Sequence, residues 1–303
     1  MIVSLLITGR MGRGLPEGGR EITGPNINKP GRNELSLASG DGGEHGKAMA
    51  QWLLVVATVL VVLGGVWGAT AFRPGGRNIG TLSCMVLAFI CQMGVLGIRG
   101  ELRGKCPLGD YGEILAFLAW ALVLFYLVVG PAYRLSLLGL FTAPVVAIFQ
   151  VVAVLPGVMD RDPVAVVEVD PWGEAHAAFS VLSYGAFALA AIAALMFLVL
   201  NKKLKDQQLG SSLFRKLPPA RSLLDSIVRL TSIGAGILTI GIISAFLMER
   251  DNTFDSHLVA AIATWLAYLA VVFMYFWRGI TPRRLSSSVI VVFILSLLVF
   301  AFV

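Results

Sequence analysis

The chain has 303 residues, of which 57% are hydrophobic and only 14% are charged. This composition excludes an ordinary water-soluble domain, in which about a quarter of the residues are charged. The net charge of +6 does not indicate nucleic-acid binding, because the basic residues stand in short segments beside long apolar runs, where they fix membrane topology. The sequence predicts a protein whose main solvent and partner is membrane lipid.

Residues 1–48 differ from the rest of the chain. They are rich in Gly, Arg, Asn and Pro, and their apolar start, residues 2–7, is too short for a signal peptide. The segment is either a disordered tail or the product of a start codon placed too early, with Met49 as the true start. We expect one polytopic membrane domain over residues 49–303.

Eight apolar runs follow, each near the length of about 20 residues that a helix needs to cross a bilayer. Unpaired backbone groups are too costly in hydrocarbon for such runs to be anything but helices. The sequence therefore predicts an all-α integral membrane protein, a bundle of about eight transmembrane helices. The predicted spans are 50–72, 81–99, 112–130, 134–156, 177–200, 227–248, 257–277 and 286–303.

Lys and Arg are unevenly divided between the two ends of this bundle. The loops after the first, third, fifth and seventh spans carry 13 of them and the opposite loops carry five. The first set is predicted to be cytoplasmic, with both termini external and the chain in the inner (plasma) membrane. The six positive charges of residues 1–48 would nearly erase this difference on the outer side, which favours the start at Met49.

The first polar region on the predicted outer face leads into the third span. Glu113, Phe117 and Trp120 follow at spacings of four and three, so the carboxylate shares a helix face with two aromatic rings. One interpretation has Glu113 pointing into the bundle. The other has it remaining in water at the membrane interface.

The second polar region is the acidic loop from Asp160 to Glu174, which includes Trp172 and leads to His176. His176 begins a polar stripe on the fifth span, with Ser180, Ser183 and Tyr184. The histidine is either an interfacial or capping residue or a ligand. Farther on, the sixth span carries small residues four apart, Ser232 with Gly236 and Gly241 with Ala245, which predicts close approach of a neighbouring helix.

The third polar region runs from Glu249 to His257, and His257 begins a stripe with Trp265 and Tyr268. Both histidines are predicted at one depth, on the outer side, at the tops of different helices. If the helices are neighbours, the imidazoles could hold one metal between them, and bis-histidine ligation of an iron porphyrin would suit that geometry. Trp172, Phe254 and Trp265 would pack the macrocycle, with Glu113 or Asp255 on the rim.

The sequence contains no constellation typical of an enzyme. There is no Ser/His/Asp arrangement, glycine-rich phosphate loop or metalloprotease motif. The cysteines Cys84, Cys91 and Cys106 have no spacing that indicates zinc or a thioredoxin-like motif. We therefore expect a non-enzymatic protein.

An ordered series of motifs between residues 99 and 284 resembles the cytochrome c assembly protein family, the CcsA-like and HemX-like heme-handling membrane proteins. The motifs are Cys106-Pro-Leu with Glu113, Phe117 and Trp120; His176-x3-Ser180-x2-Ser-Tyr184; Lys202-Lys-Leu-Lys205; Pro218-Pro219; Leu238-Thr-Ile-Gly-Ile-Ile-Ser244; Asp255; Trp265-Leu-Ala-Tyr268; and Arg283-Arg284.

The resemblance implies a multi-helix protein that binds or delivers heme for cytochrome c maturation, together with other maturation proteins. Fuller family members carry an outer Trp-Asp-Pro-Lys segment, where this chain reads Phe254-Asp-Ser-His257. A later family histidine is missing, since residues 273–277 contain none. These departures favour a heme-binding or accessory role over a full heme ligase.

Two functional hypotheses from different classes follow. In the first, the chain handles heme on the outer face, with His176 and His257 as axial ligands and Trp172, Asp255, Trp265 and Glu113 around them. In the second, it is a regulatory or accessory membrane protein that binds no heme and acts through a partner. A secondary transporter would show inverted repeats and broken helices, and neither is evident in the sequence.

Overall fold

The computed structural model describes residues 32–70, 79–132, 136–159, 170–205, 220–248 and 256–302. The chain divides into two compact units, residues 1–40 and 41–303. Of the eight helices in the described ranges, seven lie wholly in the second unit. The prediction that residues 1–48 are a tail or a misplaced start stays a prediction.

All regular structure in the described ranges is helical, which confirms the predicted all-α class. The helices are α1 (Arg32–Thr70), α2 (Ile79–Arg103), α3 (Tyr111–Ala132), α4 (Ser136–Val154), α5 (Pro171–Lys205), α6 (Ala220–Leu247), α7 (Ser256–Arg278) and α8 (Pro282–Phe302).

Six of these helices are long and apolar enough to cross a membrane: α1, α2, α3, α5, α6 and α7. Helix α4 has a shorter apolar stretch, Leu138–Val154. The chain is thus a multi-pass membrane protein.

Several helices extend beyond the predicted spans. Helix α5 begins at Pro171, six residues before the predicted start, because Asp170 caps it: its Oδ1 accepts a hydrogen bond from the Trp172 amide at 3.0 Å. An acceptor at the cap followed by proline at the first helical position is a strong start signal. The predicted spans followed the apolar runs alone, whereas a helix continues through polar ends that are capped.

Helix α5 lies at the centre of the bundle, packed against α3, α4, α6 and α8. It owes this position to small side chains, because a run of buried alanines lets neighbouring backbones approach closely. At Gly185 the approach is close, since an added Cβ would lie 2.5 Å from Cβ of Ala121 on α3. The buried alanines of α5 are Ala186, Ala188, Ala190, Ala191, Ala193 and Ala194.

The small residues of α6 match the prediction only in part. Gly241 does lie against α5, beside Phe179 and Ser180. Gly236 is exposed and nothing lies within 4 Å of the position its Cβ would take, whereas Gly234 lies against the ring of Phe187. The prediction for Ser232 and Gly236 was wrong because a spacing of four does not reveal which face of the helix meets a neighbour.

Candidate functional site

Four charged side chains form a buried cluster where α2 ends and α3 begins. The Glu113 carboxylate, only 1% exposed, accepts hydrogen bonds from Nε of Arg99 at 2.9 Å and Nε of Arg103 at 2.7 Å. Oδ2 of Asp110 accepts from Nη2 of Arg99 at 3.1 Å and from Nη2 of Arg103 at 3.0 Å. Glu113 therefore points into the bundle, and the water-facing interpretation was wrong.

The charges of this cluster balance, because each carboxylate lies between two guanidinium groups. Removing one member of such a set leaves an uncompensated buried charge, which is far costlier than the pair is stabilising. The sequence reasoning missed Arg99, Arg103 and Asp110. A signal was present, since the two arginines stand four residues apart on one face of α2 and the two acids three apart at the start of α3.

The cluster also fixes the loop between α2 and α3 and the segment after α4. Oδ1 of Asp110 caps α3 by accepting from the Glu113 amide at 2.8 Å, and the Gly109 amide donates to Glu113 Oε2 at 2.9 Å. Nη2 of Arg99 donates to the Met159 carbonyl at 2.9 Å. Three chain segments are thus held by one set of charges at one end of the bundle.

Beside this loop lies an open cavity of about 370 Å³. The cavity contains acid, base, thiol and thioether groups from three different elements. Its lining includes Lys105, Cys106, Asp170, Glu174 and Met248. It lies on the predicted outer side, where α5 begins and α6 ends.

Glu174 joins this cavity to the loop. Its Oε2 accepts a hydrogen bond from the Cys106 amide at 3.4 Å, while its Oε1 is buried with no partner among the described residues. Burial raises the pKa of the Cys106 thiol, and the negative charges of Glu174 and Glu113 raise it further. The thiol is therefore neutral at physiological pH.

His176 is the sixth residue of α5, and its side chain is half-buried against α6. Its Nδ1 lies 2.8 Å from the carbonyl oxygen of Gly241. A carbonyl oxygen only accepts hydrogen bonds, so Nδ1 carries a proton, and in the neutral ring Nε2 keeps a lone pair. The side chain is thus oriented by a neighbouring helix and retains one nitrogen for a ligand.

The polar stripe that continues from His176 points into the helix bundle. Ser183 is fully buried and donates to the Ser180 carbonyl at 2.7 Å, and the Tyr184 hydroxyl donates to the Ser296 carbonyl of α8 at 3.4 Å. The Ser180 hydroxyl is buried without a partner in the described part of the chain. The stripe links α5 to α8 through the Tyr184 hydroxyl.

Trp265 and His257 lie at different heights along α7. The Trp265 indole Nε1 donates a hydrogen bond to Oγ1 of Thr239 on α6 at 2.8 Å. Gly241, the partner of His176, follows Thr239 by two residues, which is about 3 Å of helical rise. His257 stands eight residues before Trp265, about 12 Å toward the predicted outer surface.

The two histidines therefore lie at different depths. The prediction that they share one depth was wrong. The prediction aligned them as the first residues of their helices. In the structure His257 is the second residue of α7 and is exposed, whereas His176 is the sixth residue of α5.

The remaining predicted site residues are spread around this end of the bundle. Trp172 stands at the start of α5 and is 47% exposed. Asp255 and Phe254 lie outside the described residues. Within the described ranges, no three histidine, cysteine or carboxylate side chains are grouped so as to hold a metal ion. A porphyrin iron differs in needing only axial ligands from the protein.

Comparison with known proteins identifies the group to which this arrangement belongs. Residues 108–303, about two thirds of the chain, match the model of the cytochrome C assembly protein family. The chain belongs to this family. The match takes in Glu113, His176, Trp265 and His257 and confirms the resemblance predicted from the ordered motifs.

Curated relatives in this family cover most of the chain. A cytochrome c biogenesis protein CcsA of Picosynechococcus sp. is 25% identical over 288 residues, which span 73% of this chain and 85% of the relative. The CcsA of Crocosphaera subtropica is also 25% identical, over 80% of this chain and 90% of the relative. The CcsA of Gloeobacter violaceus is 25% identical over 77% of this chain and 86% of the relative.

Proposed function

We propose that this cytochrome C assembly family member is a membrane component of cytochrome c biogenesis that binds heme at its outer face and delivers it to other maturation proteins. The observation that carries this proposal is the environment of His176. This residue lies half-buried in the matched region, and its Nδ1 is held by the Gly241 carbonyl so that Nε2 remains for a ligand.

The donor set fits a heme. Neutral imidazole with one nitrogen hydrogen-bonded to the protein is the common form of a histidine metal ligand. His257 would supply the second axial ligand after the start of α7 moves inward, since helix ends can close on a ligand. Trp172 and Trp265 would pack against the macrocycle, and Asp255, two residues before His257 in the sequence, would complete the set.

Glu113 has a different part in this proposal. Its carboxylate is fully engaged by Arg99, Arg103 and Gly109, so it would hold the loop beside the heme site in place rather than face the ligand. The chain would carry out no covalent step of its own, and heme would be its cargo.

The proposal includes a topology. All eight helices would cross the inner (plasma) membrane, with both termini outside, as the 13 to five distribution of Lys and Arg between the two sets of loops indicates. The charge cluster, the cavity and both histidines would then lie at the outer end. The six long apolar helices support the multi-pass part of this arrangement.

Absorption of the purified protein tests the proposal. We expect a Soret band after reconstitution with hemin, lost or strongly shifted in His176→Ala and weakened in His257→Ala. The chain has only three histidines, so His45→Ala, at an exposed position on α1, is the matched control and should keep the band.

A wild-type protein that stays colourless with hemin would overturn heme binding. It would favour the second hypothesis, a regulatory or accessory protein that acts through a partner. A band that survives in both His176→Ala and His257→Ala would move the heme site elsewhere in the chain.

A further inference from the structure

The contact between His176 and Gly241 joins a side chain of α5 to the backbone of α6. Because the carbonyl of Gly241 can only accept, the 2.8 Å contact requires the proton on Nδ1. We propose that Gly241 is a positioning residue: its carbonyl fixes the Nδ1–H tautomer of His176 and makes Nε2 the nitrogen that binds the heme iron. This inference rests on the proposed function for the ligand and on geometry alone for the tautomer.

A residue with a side chain would not reach this geometry unstrained. A Cβ added at Gly241 would lie 3.3 Å from Oγ of Ser180 and 3.4 Å from Cβ of Phe179. Contacts of this length are tight without being prohibitive, so an alanine would require Ser180 or the helix backbone to shift by a few tenths of an ångström. The absence of a side chain at Gly241 lets α6 lie at this distance from α5 with no such shift.

The chemical consequence follows from how histidine ligands are tuned. When the nitrogen that does not bind the metal donates to a carbonyl, the ring is held in one tautomer and one orientation, and its basicity as a ligand rises. The half-buried position of His176 strengthens this hydrogen bond relative to one in water. A hydrogen bond that only joined the helices would contribute to stability and leave the properties of bound iron unchanged.

Nitrogen NMR of the heme-free protein tests the tautomer. With 15N-histidine labelling only three imidazoles are visible, and a His176→Gln variant assigns the one that matters. Above the usual histidine pKa range, where the ring is neutral, we expect His176 to be protonated at Nδ1. Gly241→Ala should increase the Nε2–H share, and the unchanged signals of the other two histidines would show that the variant folds.

The chain offers a matched control and a rescue. Gly236→Ala places the same methyl group on the same helix with nothing within 4 Å and should leave the tautomer unchanged. Ser180→Ala removes the atom nearest to the new Cβ, so Ser180→Ala/Gly241→Ala should recover part of the wild-type signal. A wild-type His176 protonated mainly at Nε2, or a Gly241→Ala signal identical to that of Gly236→Ala, would overturn the inference.

The hemin-reconstituted protein gives a second readout. Gly241→Ala should raise the midpoint potential of the bound heme, because a less basic imidazole stabilises the ferric state less, while Gly236→Ala should leave it unchanged. Equal potentials in both variants would overturn the role of Gly241 toward iron. Failure of hemin to bind the wild type would overturn the proposed function, and the tautomer experiment, which uses no heme, distinguishes the two failures.

Discussion

The four buried charges where α2 ends and α3 begins are arranged so that each lies beside groups of opposite charge. Glu113 and Asp110 each contact both Arg99 and Arg103, and backbone groups of Gly109 and Met159 complete the hydrogen bonding. Ionisable groups at membrane depth are costly and therefore tend to be paired. At this end of the bundle the pairing also determines the course of a loop that lines the adjacent cavity.

Replacing Glu113 by Gln should destabilise the protein by roughly 3–5 kcal/mol, because two buried guanidinium groups would lose their shared anion. The measurement is the midpoint of thermal unfolding in detergent. Glu101→Gln, on the same stretch of α2 but exposed, is the control and should change stability little. Equal stability of the two variants would show that the cluster is not coupled to folding.

Cys106 should be an unreactive thiol at neutral pH. Burial together with the charges of Glu174 and Glu113 raises its pKa, and the thiolate is the form that alkylating reagents attack. In a Cys84→Ser/Cys91→Ser background, maleimide labelling of Cys106 should be slow at neutral pH and accelerate only above the ordinary thiol range.

The Glu174→Gln variant tests whether the charge of Glu174 raises the pKa of Cys106. Removing this negative charge should lower the pKa of Cys106 and speed its labelling at neutral pH, whereas Asp225→Asn, an exposed change on α6 outside the cavity lining, should not. Identical rates in both variants would exclude an electrostatic effect of Glu174 on the thiol.

At the scale of elements, α5 determines the packing of the bundle. Its glycine and alanines let α3 and α6 lie close on either side, and its polar stripe turns toward α6 and α8. Without a hydrophobic driving force inside lipid, helices associate through such close packing and interhelical hydrogen bonds. Mutations that replace the small residues of α5 by larger ones should therefore disturb its contacts with several helices at once.

Gly185→Ala should destabilise the protein by about 1–3 kcal/mol, because the new Cβ would overlap Cβ of Ala121 and approach its backbone carbon at 3.0 Å. Gly97→Ala on α2 is the matched control, since nothing lies within 4 Å of its Cβ position. The control should be neutral or stabilising by up to about 1 kcal/mol from helix propensity. Thermal unfolding of both variants in detergent measures the difference, and a Gly185→Ala variant as stable as the control would disprove close α3–α5 packing.

At the scale of the whole molecule, the orientation in the membrane decides which side the histidines serve. The segment from Asn201 to Asp225 holds the densest positive charge, so a reporter fused there should behave as cytoplasmic and one fused near Asp162 as external. Alkaline phosphatase and green fluorescent protein fusions report the two sides in opposite ways. The reverse pattern would place both histidines on the cytoplasmic side and remove the basis for delivery at the outer face.

The sequence by itself determined the helical class, the membrane environment and the family. Apolar run length, loop charge and the order of motifs are local properties that a single chain displays without knowledge of packing. Asp170 and Pro171 even signalled the true start of α5, although the apolar run alone did not reveal it. Glu113 and His176 could be singled out because polar residues are conspicuous in apolar helices.

Only the tertiary structure decided what those residues contact. A helix sequence gives the angular position of each side chain but not the neighbour it meets, so the partners of Glu113 on α2 and of His176 on α6 lay beyond sequence reasoning. The same limit explains why the sequence did not reveal the depths of the two histidines. It also explains why Gly234, and not the predicted Gly236, contacts α5. Depth and facing depend on where each helix starts relative to its neighbours and on which faces pack, and packing is decided by long-range close contact between helices.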